Sequence, residues 1–240
     1  MRPFRRCHRR LVPRGSGVVA LIVGALASTL VAPLAAQATV GVVGSTSDES
    51  LLSRSSITLE RPSGARSGHL LLASVAVSGD MEFVAPSGWT LVRQDRVDVD
   101  LRQAIYVKVA GGSEPGAYTW KLATGSVRRL AGGLTAYLGV DPASPVEAHS
   151  AGIGNSAEVT APSISATSDD TLLVHLAAVG GQGTITPPSG MTERFEASSP
   201  RLTSPRGVVV ASADARAGQA GPTGARTAMA SVANPNVGVI

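Results

Sequence analysis

The feature that most constrains the fold of this chain is an internal similarity between segments 102 residues apart. Residues 68–77 (GHLLLASVAV) align without gaps with residues 170–179 (DTLLVHLAAV), and residues 86–90 (PSGWT) align with residues 188–192 (PSGMT) at the same offset. Later segments match more loosely. Two matched segments at one offset indicate a duplicated structural unit.

The apolar residues within each unit follow the period of β-strands. Apolar and polar residues alternate over residues 97–102, 105–109 and 118–122, which predicts half-buried strands. The runs 70–77 and 172–179 would be apolar on both faces of a strand. This predicts central strands that are covered on both sides. With 27 Gly, 15 Pro and few aromatic residues, the composition favours short strands joined by turns.

Each unit would present an apolar sheet face, and its duplicate is the obvious cover. We therefore expect an all-β fold: a two-sheet antiparallel β-sandwich of jelly-roll type, with an internal duplication, preceded by an N-terminal signal helix. The sandwich would cover residues 57–240, with repeat halves at about 57–141 and 157–240. Residues 39–56 would form a flexible leader. Two separate domains joined near residues 141–165 are the alternative.

The first 38 residues have the three parts of an export signal. Six arginines and no acidic residue precede an apolar stretch at 18–34, and Ala36-Gln37-Ala38 supplies a small-x-small cleavage pattern. We expect cleavage after Ala38 and a secreted or cell-surface location. An uncleaved anchor is the alternative, since about 17 apolar residues can just span a bilayer. If the signal is cleaved, we expect the chain to contact the membrane only through its N-terminal segment, before cleavage.

Charge and cysteine content narrow the classes of partner. The whole chain has 21 Lys and Arg residues, and 15 remain when the six arginines of the predicted signal are removed. The mature chain has 17 acidic residues, so it is slightly acidic. That balance argues against a nucleic-acid partner. Cys7 is the only cysteine and lies in the predicted signal, so no disulfide is expected in the mature domain.

Several motifs together resemble a known group of modules. They are the segments 70–73 (LLLA), 86–90 (PSGWT), 106–110 (YVKVA), Glu114-Pro115 followed by 118–120 (YTW), and 137–141 (YLGVD) before Pro145. This combination resembles uncharacterised β-sandwich modules of exported bacterial proteins and phage structural proteins, over about residues 56–240. The resemblance implies a fold and a location but no activity. Met191 and Ala228 replace the two tryptophans in the second half.

The sequence contains no recognised catalytic motif. His69, His149 and His175 share no spacing, and neither a Gly-x-Ser-x-Gly elbow nor a His-Glu-x-x-His pair occurs. His175 falls within an apolar strand, which is typical of a structural histidine. We expect no catalytic residue and no cofactor.

Two sets of residues remain as candidates for ligand contact. Asp95, Asp98 and Asp100 offer oxygen ligands suited to Ca²⁺, but the glycine-containing loop of a calcium motif is missing, so a solvated strand face is favoured over a metal site. Trp89 and Trp120 could contact a glycan, although burial in the core is favoured for both.

These observations predict an exported, non-catalytic module for surface display, adhesion or binding, with an extracellular glycan or protein surface as the partner class. The alternative is a secreted glycan-active hydrolase. Its carboxylates would be assembled by the fold from residues such as Asp98, Asp100, Glu114 and Glu147. A subunit of a larger assembly is a third possibility.

Overall fold

The alternating and the apolar segments form β-strands along the whole described part of the chain. The computed structural model describes residues 39–49, 51–169, 171–199 and 206–240. The signal helix predicted within residues 1–38 lies outside these residues. The described residues contain no helix, and therefore none that could cross a membrane.

The described residues form sixteen strands, and these pair antiparallel throughout. Their bounds are β1 Gly41–Asp48, β2 Ser56–Glu60, β3 Leu70–Ser78, β4 Phe83–Val84, β5 Thr90–Val97, β6 Leu101–Val109, β7 Ala117–Leu122, β8 Leu130–Leu138, β9 Ala151–Ala161, β10 Ser165–Ala166, β11 Leu172–Gly180, β12 Ile185–Thr186, β13 Thr192–Ser199, β14 Val208–Arg216, β15 Gly221–Pro222 and β16 Arg226–Val239.

The N-terminal half contains a larger and a smaller sheet. The larger has the order β1-β8-β3-β6-β5 and the smaller has the order β2-β7-β4. Leu71, Ala73, Val75 and Val77 of β3 point into the interior between them, where they pack with residues of β2 and β7. This follows from the two-residue period of a strand, which sends alternate side chains to one face.

The C-terminal half is built around two long strands. The first part of β9, which begins at Ala151, pairs with the last part of β16, and this part of β16 also pairs with β11. The second part of β9, which ends at Ala161, pairs with the first part of β16, and this part of β16 also pairs with β12. The larger sheet continues through β14 to β13. Val159, Ile185 and Ala228 pack on Ala177 and Val179 in the interior of this half. A small pair, β10 with β15, lies outside this sheet.

The larger sheets of the two halves pack against each other. Their shared core contains Ala76, Leu101 and Ile105 from the first half and Leu176, Phe195 and Val210 from the second. The arrangement differs in detail from one two-sheet sandwich built from both halves, because each half also encloses its own interior. The reason is visible in β3 and β11, whose apolar residues on both faces are buried between two layers.

Residues 39–56 include a strand where a flexible leader was expected. β1 pairs with β8 over nearly its whole length, and the Ser45 hydroxyl lies 3.0 Å from the Thr135 hydroxyl. β1 is the edge strand of its sheet and is largely half-buried. A polar, Ser- and Thr-rich sequence suits that position, so the sheet begins well before residue 57.

Candidate functional site

A large cleft lies between the two halves, and we call it the inter-half cleft. Its volume is about 740 Å³. It opens where β3 and β11 begin and where β8 and β16 end, beside the segment that connects the halves. Its lining includes Leu70, Leu72, Tyr137, Val146, Glu147, Leu172 and Val174.

The walls of this cleft are mainly apolar because of strand geometry. Leu70 and Leu72 are on the face of β3 that points away from the interior of the first half, and Leu172 and Val174 hold the matching positions on β11. Val146 from the connecting segment packs with them. An apolar cleft with a few polar groups at its rim is the usual form of a binding site.

Glu147 is the main charged group at the rim. Its carboxylate accepts hydrogen bonds from the backbone N–H of Thr167 and from the Thr171 hydroxyl, the latter at 3.0 Å. Hydrogen bonds from Thr167 and Thr171 outweigh the opposing effect of burial and hold the pKa of Glu147 below its usual value. The carboxylate thus ties the connecting segment to the start of β11.

A second polar group at the rim involves His149. Arg93 donates two hydrogen bonds to the carboxylate of Asp95, at 2.7 and 2.8 Å, and its remaining nitrogen lies 3.0 Å from His149 Nδ1. The pairing of Arg93 with Asp95 is bidentate, a geometry in which the carboxylate is held firmly. Asp95 is therefore engaged with an arginine.

A buried ion pair lies beside the wall formed by Tyr137. Asp214 is 2% exposed and accepts two hydrogen bonds from Arg194, at 2.7 and 2.5 Å, and one from the Tyr137 hydroxyl at 3.2 Å. Burial, and then the charge of Asp214, raise the pKa of Tyr137, while the hydrogen bond to Asp214 raises that of Arg194. The phenol therefore remains a neutral donor and the guanidinium remains charged.

The tryptophans considered for ligand contact belong to the core of the first half. Trp120 is 0% exposed and Trp89 is 9% exposed. Their ring centroids are 4.9 Å apart at an interplanar angle of 67°, and Trp89 also meets Tyr118 edge-on at 5.0 Å. A ring that is fully enclosed cannot stack on a glycan, so Trp120 is no platform, and little of Trp89 reaches solvent.

The three aspartates considered for a metal are not brought together among the described residues. Asp95 is paired with Arg93, and Asp98 lies in the turn between β5 and β6 with φ of +45°. The carbonyl oxygen of Asp100 accepts a hydrogen bond from Gly79 at 2.8 Å. In the described ranges, no three His, Cys, Asp or Glu side chains converge as metal ligands.

The three histidines are dispersed. His175 is buried in the interior of the second half, and desolvation lowers its pKa to about 4 although backbone hydrogen bonds with Val159 and Arg226 oppose the shift. His69 Nδ1 accepts a hydrogen bond from the backbone N–H of Arg66. His149 alone contributes to the inter-half cleft.

Glu114 is held in a separate cluster on the first half. It pairs with Lys108 at 2.8 Å and accepts hydrogen bonds from the Tyr118 hydroxyl and the Gly111 N–H, both at 2.7 Å. Burial opposes its ionisation, yet these three donors together keep its pKa below the usual value. A shallower hollow of about 630 Å³ lies beside Lys108 and Tyr118.

Sequence reasoning considered Glu147 and His149 individually and missed the cleft that brings them together. It also missed Arg194 and Asp214. A charged residue within the otherwise apolar strand β14 was the available signal, because a buried charge requires a partner. The cleft itself could not be found in this way, since its walls come from strands about 100 residues apart.

Comparison with protein-family models, with curated proteins and with solved structures gave no match to this chain.

Proposed function

We propose that this chain is an exported, non-catalytic module that binds an extracellular partner through the inter-half cleft, for adhesion, display or assembly. The observation that carries the proposal is the cleft of about 740 Å³ with apolar walls from both halves and a polar rim at Glu147 and His149. Such a combination suits recognition, because apolar walls supply burial and a few polar groups supply orientation.

The state of the carboxylates supports binding over catalysis. Glu147 and Glu114 each accept hydrogen bonds from two or more groups, and both have lowered pKa values. A general acid needs the opposite, a raised pKa that keeps a proton available near neutral pH. Glu114 and Glu147, two of the four carboxylates considered for hydrolysis, thus hold loops in place.

A secreted glycan-active hydrolase is the second candidate, and one observation favours it. Burial raises the pKa of Glu196, and the nearby charge of Glu193 raises it further, although the carboxylate accepts a hydrogen bond from Ile185 N–H at 2.5 Å. A raised pKa is what the general acid of a glycoside hydrolase requires. The Glu196→Gln variant would abolish glycan turnover if this candidate were correct.

The finer architecture that we propose is a duplicated jelly roll. The order β1-β8-β3-β6-β5 in one sheet and β2-β7-β4 in the other, with the first strand beside the last, supports a jelly roll in the first half, in which β5 pairs with β6 on the larger sheet. In the second half, the two parts of β9 and the two parts of β16 take the places of four separate strands.

Local geometry supports the duplication. The turns at residues 86–89 and 188–191 close with the same backbone hydrogen bond, and Gly88 and Gly190 adopt φ of +80° and +77°. The register of β5 with β6 is interrupted at Val92, and that of β13 with β14 at Arg194. Both pairs of positions are 102 residues apart. Bulges at matching positions are typical of related structures.

Export is proposed from the N-terminal pattern, with cleavage after Ala38. The first strand begins at Gly41, so removal of residues 1–38 would leave every described strand intact. N-terminal sequencing of protein recovered from the medium of an expressing bacterium would give Thr39 first. Recovery of the uncleaved chain in membranes would instead support the anchor.

The binding role is tested with glycan and peptide arrays probed by the full chain and by the Ala148→Trp variant. Ala148 lines the cleft from the connecting segment, so a tryptophan there adds bulk to the cleft without altering a strand. We expect array binding that the variant loses. Thr119→Trp, on β7 of the first half, is the matched control and should bind normally. Glycan turnover without cleft-dependent binding would overturn the proposal.

A further inference from the structure

Strand β7, in the smaller sheet of the first half, has a partner along only part of one edge. On one side it pairs with β2 from Ala117 to Lys121. On the other side its register with β4 covers only Lys121 and Leu122. Among the described residues, no strand lies beside Ala117 to Trp120 on the β4 side.

The unpaired stretch of β7 results from the residues that follow β4. If the chain continued from Val84 along β7, Pro86 would lie opposite Thr119. Proline has no N–H to donate to a ladder, so the strand cannot extend there. The chain turns instead, and the Trp89 N–H donates a hydrogen bond of 3.4 Å to the Pro86 carbonyl. An internal turn of the chain therefore sets the length of the open edge.

The open edge presents backbone groups that can pair. In an antiparallel ladder, successive residues bond alternately to the two sides. The Leu122 N–H donates to the Ser55 carbonyl at 2.8 Å, so every second residue before Leu122 bonds to β2. Thr119 and Ala117 lie between those residues, and no described residue bonds to their backbone groups. Unpaired groups of this kind are templates for an added strand.

A hollow of about 630 Å³ lies along this edge, and we call it the β7 hollow. Ala117 and Thr119 of β7 line it, together with residues 84–87, which follow the course of the chain from β4 into its turn. The β7 hollow shares no lining residue with the inter-half cleft. It therefore provides a separate space next to unpaired backbone groups.

The β7 hollow carries a net positive charge. Lys108 and Lys121 line it, and no Asp or Glu does. The Lys121 side chain is exposed, and it forms no ion pair within the described ranges. The Lys108 ammonium has three N–H donors and directs one of them to Glu114 at 2.8 Å. A ligand with carboxylates would therefore find two cationic donors.

The second half shows that the fold does not require these lysines. The register of β12 with β16 also stops after two pairs, and it places Met229 at the position of Lys121. The register of β11 with β14 places Ala215 at the position of Lys108. The same strands thus form without either charge, so packing does not account for the two lysines of the first half.

We propose that the β7 hollow binds an extended acidic segment of a separate polypeptide, which adds antiparallel to β7 in line with β4. This surface is additional to the inter-half cleft. A polypeptide is favoured over a glycan because the free groups of Thr119 and Ala117 have the spacing of a β-ladder. The charge of the partner is complementary to that of Lys108 and Lys121.

The register of the added segment determines where its carboxylates lie. The side chain opposite Thr119 points outward and is diagonal to Lys121, where a Glu carboxylate can pair with the ammonium. The next side chain is opposite Tyr118 and points inward. Lys108 Nζ lies on that side, 5.5 Å from the centroid of the Tyr118 ring, so an Asp is expected there.

A second copy of this chain is a poorer occupant, because two acidic segments of the described chain are already engaged. Asp48 pairs with Arg54 at 2.8 Å. Residues 97–100 (VDVD) form the turn between β5 and β6, in which Asp98 has φ of +45°. A second copy could supply that segment only by opening its own hairpin. A partner with a free acidic segment has only the cost of ordering that segment.

The proposal is tested by residue-resolved hydrogen exchange on the full chain, with and without the capped peptide EDVT. The peptide begins with Glu because Val84 occupies the position opposite Lys121. In the free chain, we expect rapid exchange at the amides of Thr119 and Ala117 and slow exchange at Trp120, which bonds to β2. With the peptide bound, exchange at Thr119 and Ala117 slows by about tenfold or more. EDVT methylated at the amide nitrogen of its Glu should not bind, because it cannot complete the ladder.

Matched peptides and variants test the charge. The neutral peptide QNVT should bind more weakly than EDVT. Lys121→Met should weaken EDVT binding by about two- to fivefold, the range of one exposed ion pair, and Lys121→Arg should retain it. The first variant is expected to fold because methionine holds the corresponding position, 229, in the second half. Lys121→Glu should lose EDVT and bind the peptide KKVT.

Four results would overturn the proposal. They are slow exchange at Thr119 in the free chain at all concentrations, no slowing up to the solubility limit of EDVT, equal protection by QNVT, and protection that rises with chain concentration alone. The last would identify a second copy as the occupant. The inter-half cleft is tested separately, since EDVT binding should be unchanged in Ala148→Trp. Array ligands that Thr119→Trp loses and Ala148→Trp retains belong to the β7 hollow.

Discussion

Tyr137 of the N-terminal half donates a hydrogen bond of 3.2 Å to Asp214 of the C-terminal half, and both side chains are almost completely buried. Asp214 is at the same time paired with Arg194. The contact links the end of β8 to β14, so a polar interaction reinforces the apolar packing of the two larger sheets. The link is also specific, because any other alignment of the halves would leave Asp214 without the Tyr137 donor.

The Tyr137→Phe variant tests the contribution of this link. Removing the hydroxyl leaves Asp214 bonded to Arg194 alone, and we expect a loss of about 1 kcal/mol in the free energy of unfolding. Asp214→Ala should cost more, about 2 to 3 kcal/mol, because the half-buried guanidinium of Arg194 loses its counter-charge and two hydrogen bonds. Urea unfolding measures both. Equal losses for the two variants would contradict this account of the ion pair.

Gly133 is required by the contact between the halves. A Cβ atom built at this position would lie far inside the van der Waals contact distance of three ring atoms of Phe195, a residue of the other half. We expect Gly133→Ala to lower the free energy of unfolding by about 1 to 3 kcal/mol, the usual range for overpacking. Gly112→Ala is the matched control, since a Cβ there meets no atom within 4 Å. A harmless Gly133→Ala would show that the halves do not pack as described.

His175 makes stability depend on pH. Its pKa is about 4 in the folded chain and about 6.5 in the unfolded chain, so the unfolded state binds more protons between these values. Stability therefore falls as pH decreases from 6.5 to 4, by up to about 3 kcal/mol from this residue. The His175→Leu variant should lose this part of the pH dependence, as measured by urea midpoints from pH 7 to 4. If the variant kept the full pH dependence of stability, His175 would not be a buried, neutral histidine in the folded chain.

Trp120 contributes to stability through burial. Its ring is enclosed by Trp89, Tyr106 and Tyr118. We expect Trp120→Ala to lower the free energy of unfolding by about 3 to 5 kcal/mol. Met191→Ala, at the position that replaces Trp89 in the second half, should cost less, because Met191 is only half-buried. Thermal unfolding compares the two variants, and a larger loss at Met191 would contradict the burial described for Trp120.

The strands could be predicted from local patterns. The apolar runs at 70–77 and 172–179 correspond to β3 and β11, and the structure confirms that they are buried on both faces. The two Pro-Ser-Gly turns were found from residue type, since glycine adopts a positive φ without steric cost. The all-β class follows from these elements. β1 was missed because the polar residues of an edge strand carry little periodic signal.

The amino-acid sequence by itself determined that this chain folds into β-strands, where its turns lie, and that its first 38 residues differ in charge and hydropathy from the rest. These properties depend on neighbouring residues. Only the tertiary structure decided which strands pair, that each half encloses its own core, and that a cleft lies between the halves. Those features depend on contacts between residues far apart in the chain. The physical reason is that the alternation of side chains fixes which residues share a face of a strand, but it does not fix which sheet covers that face.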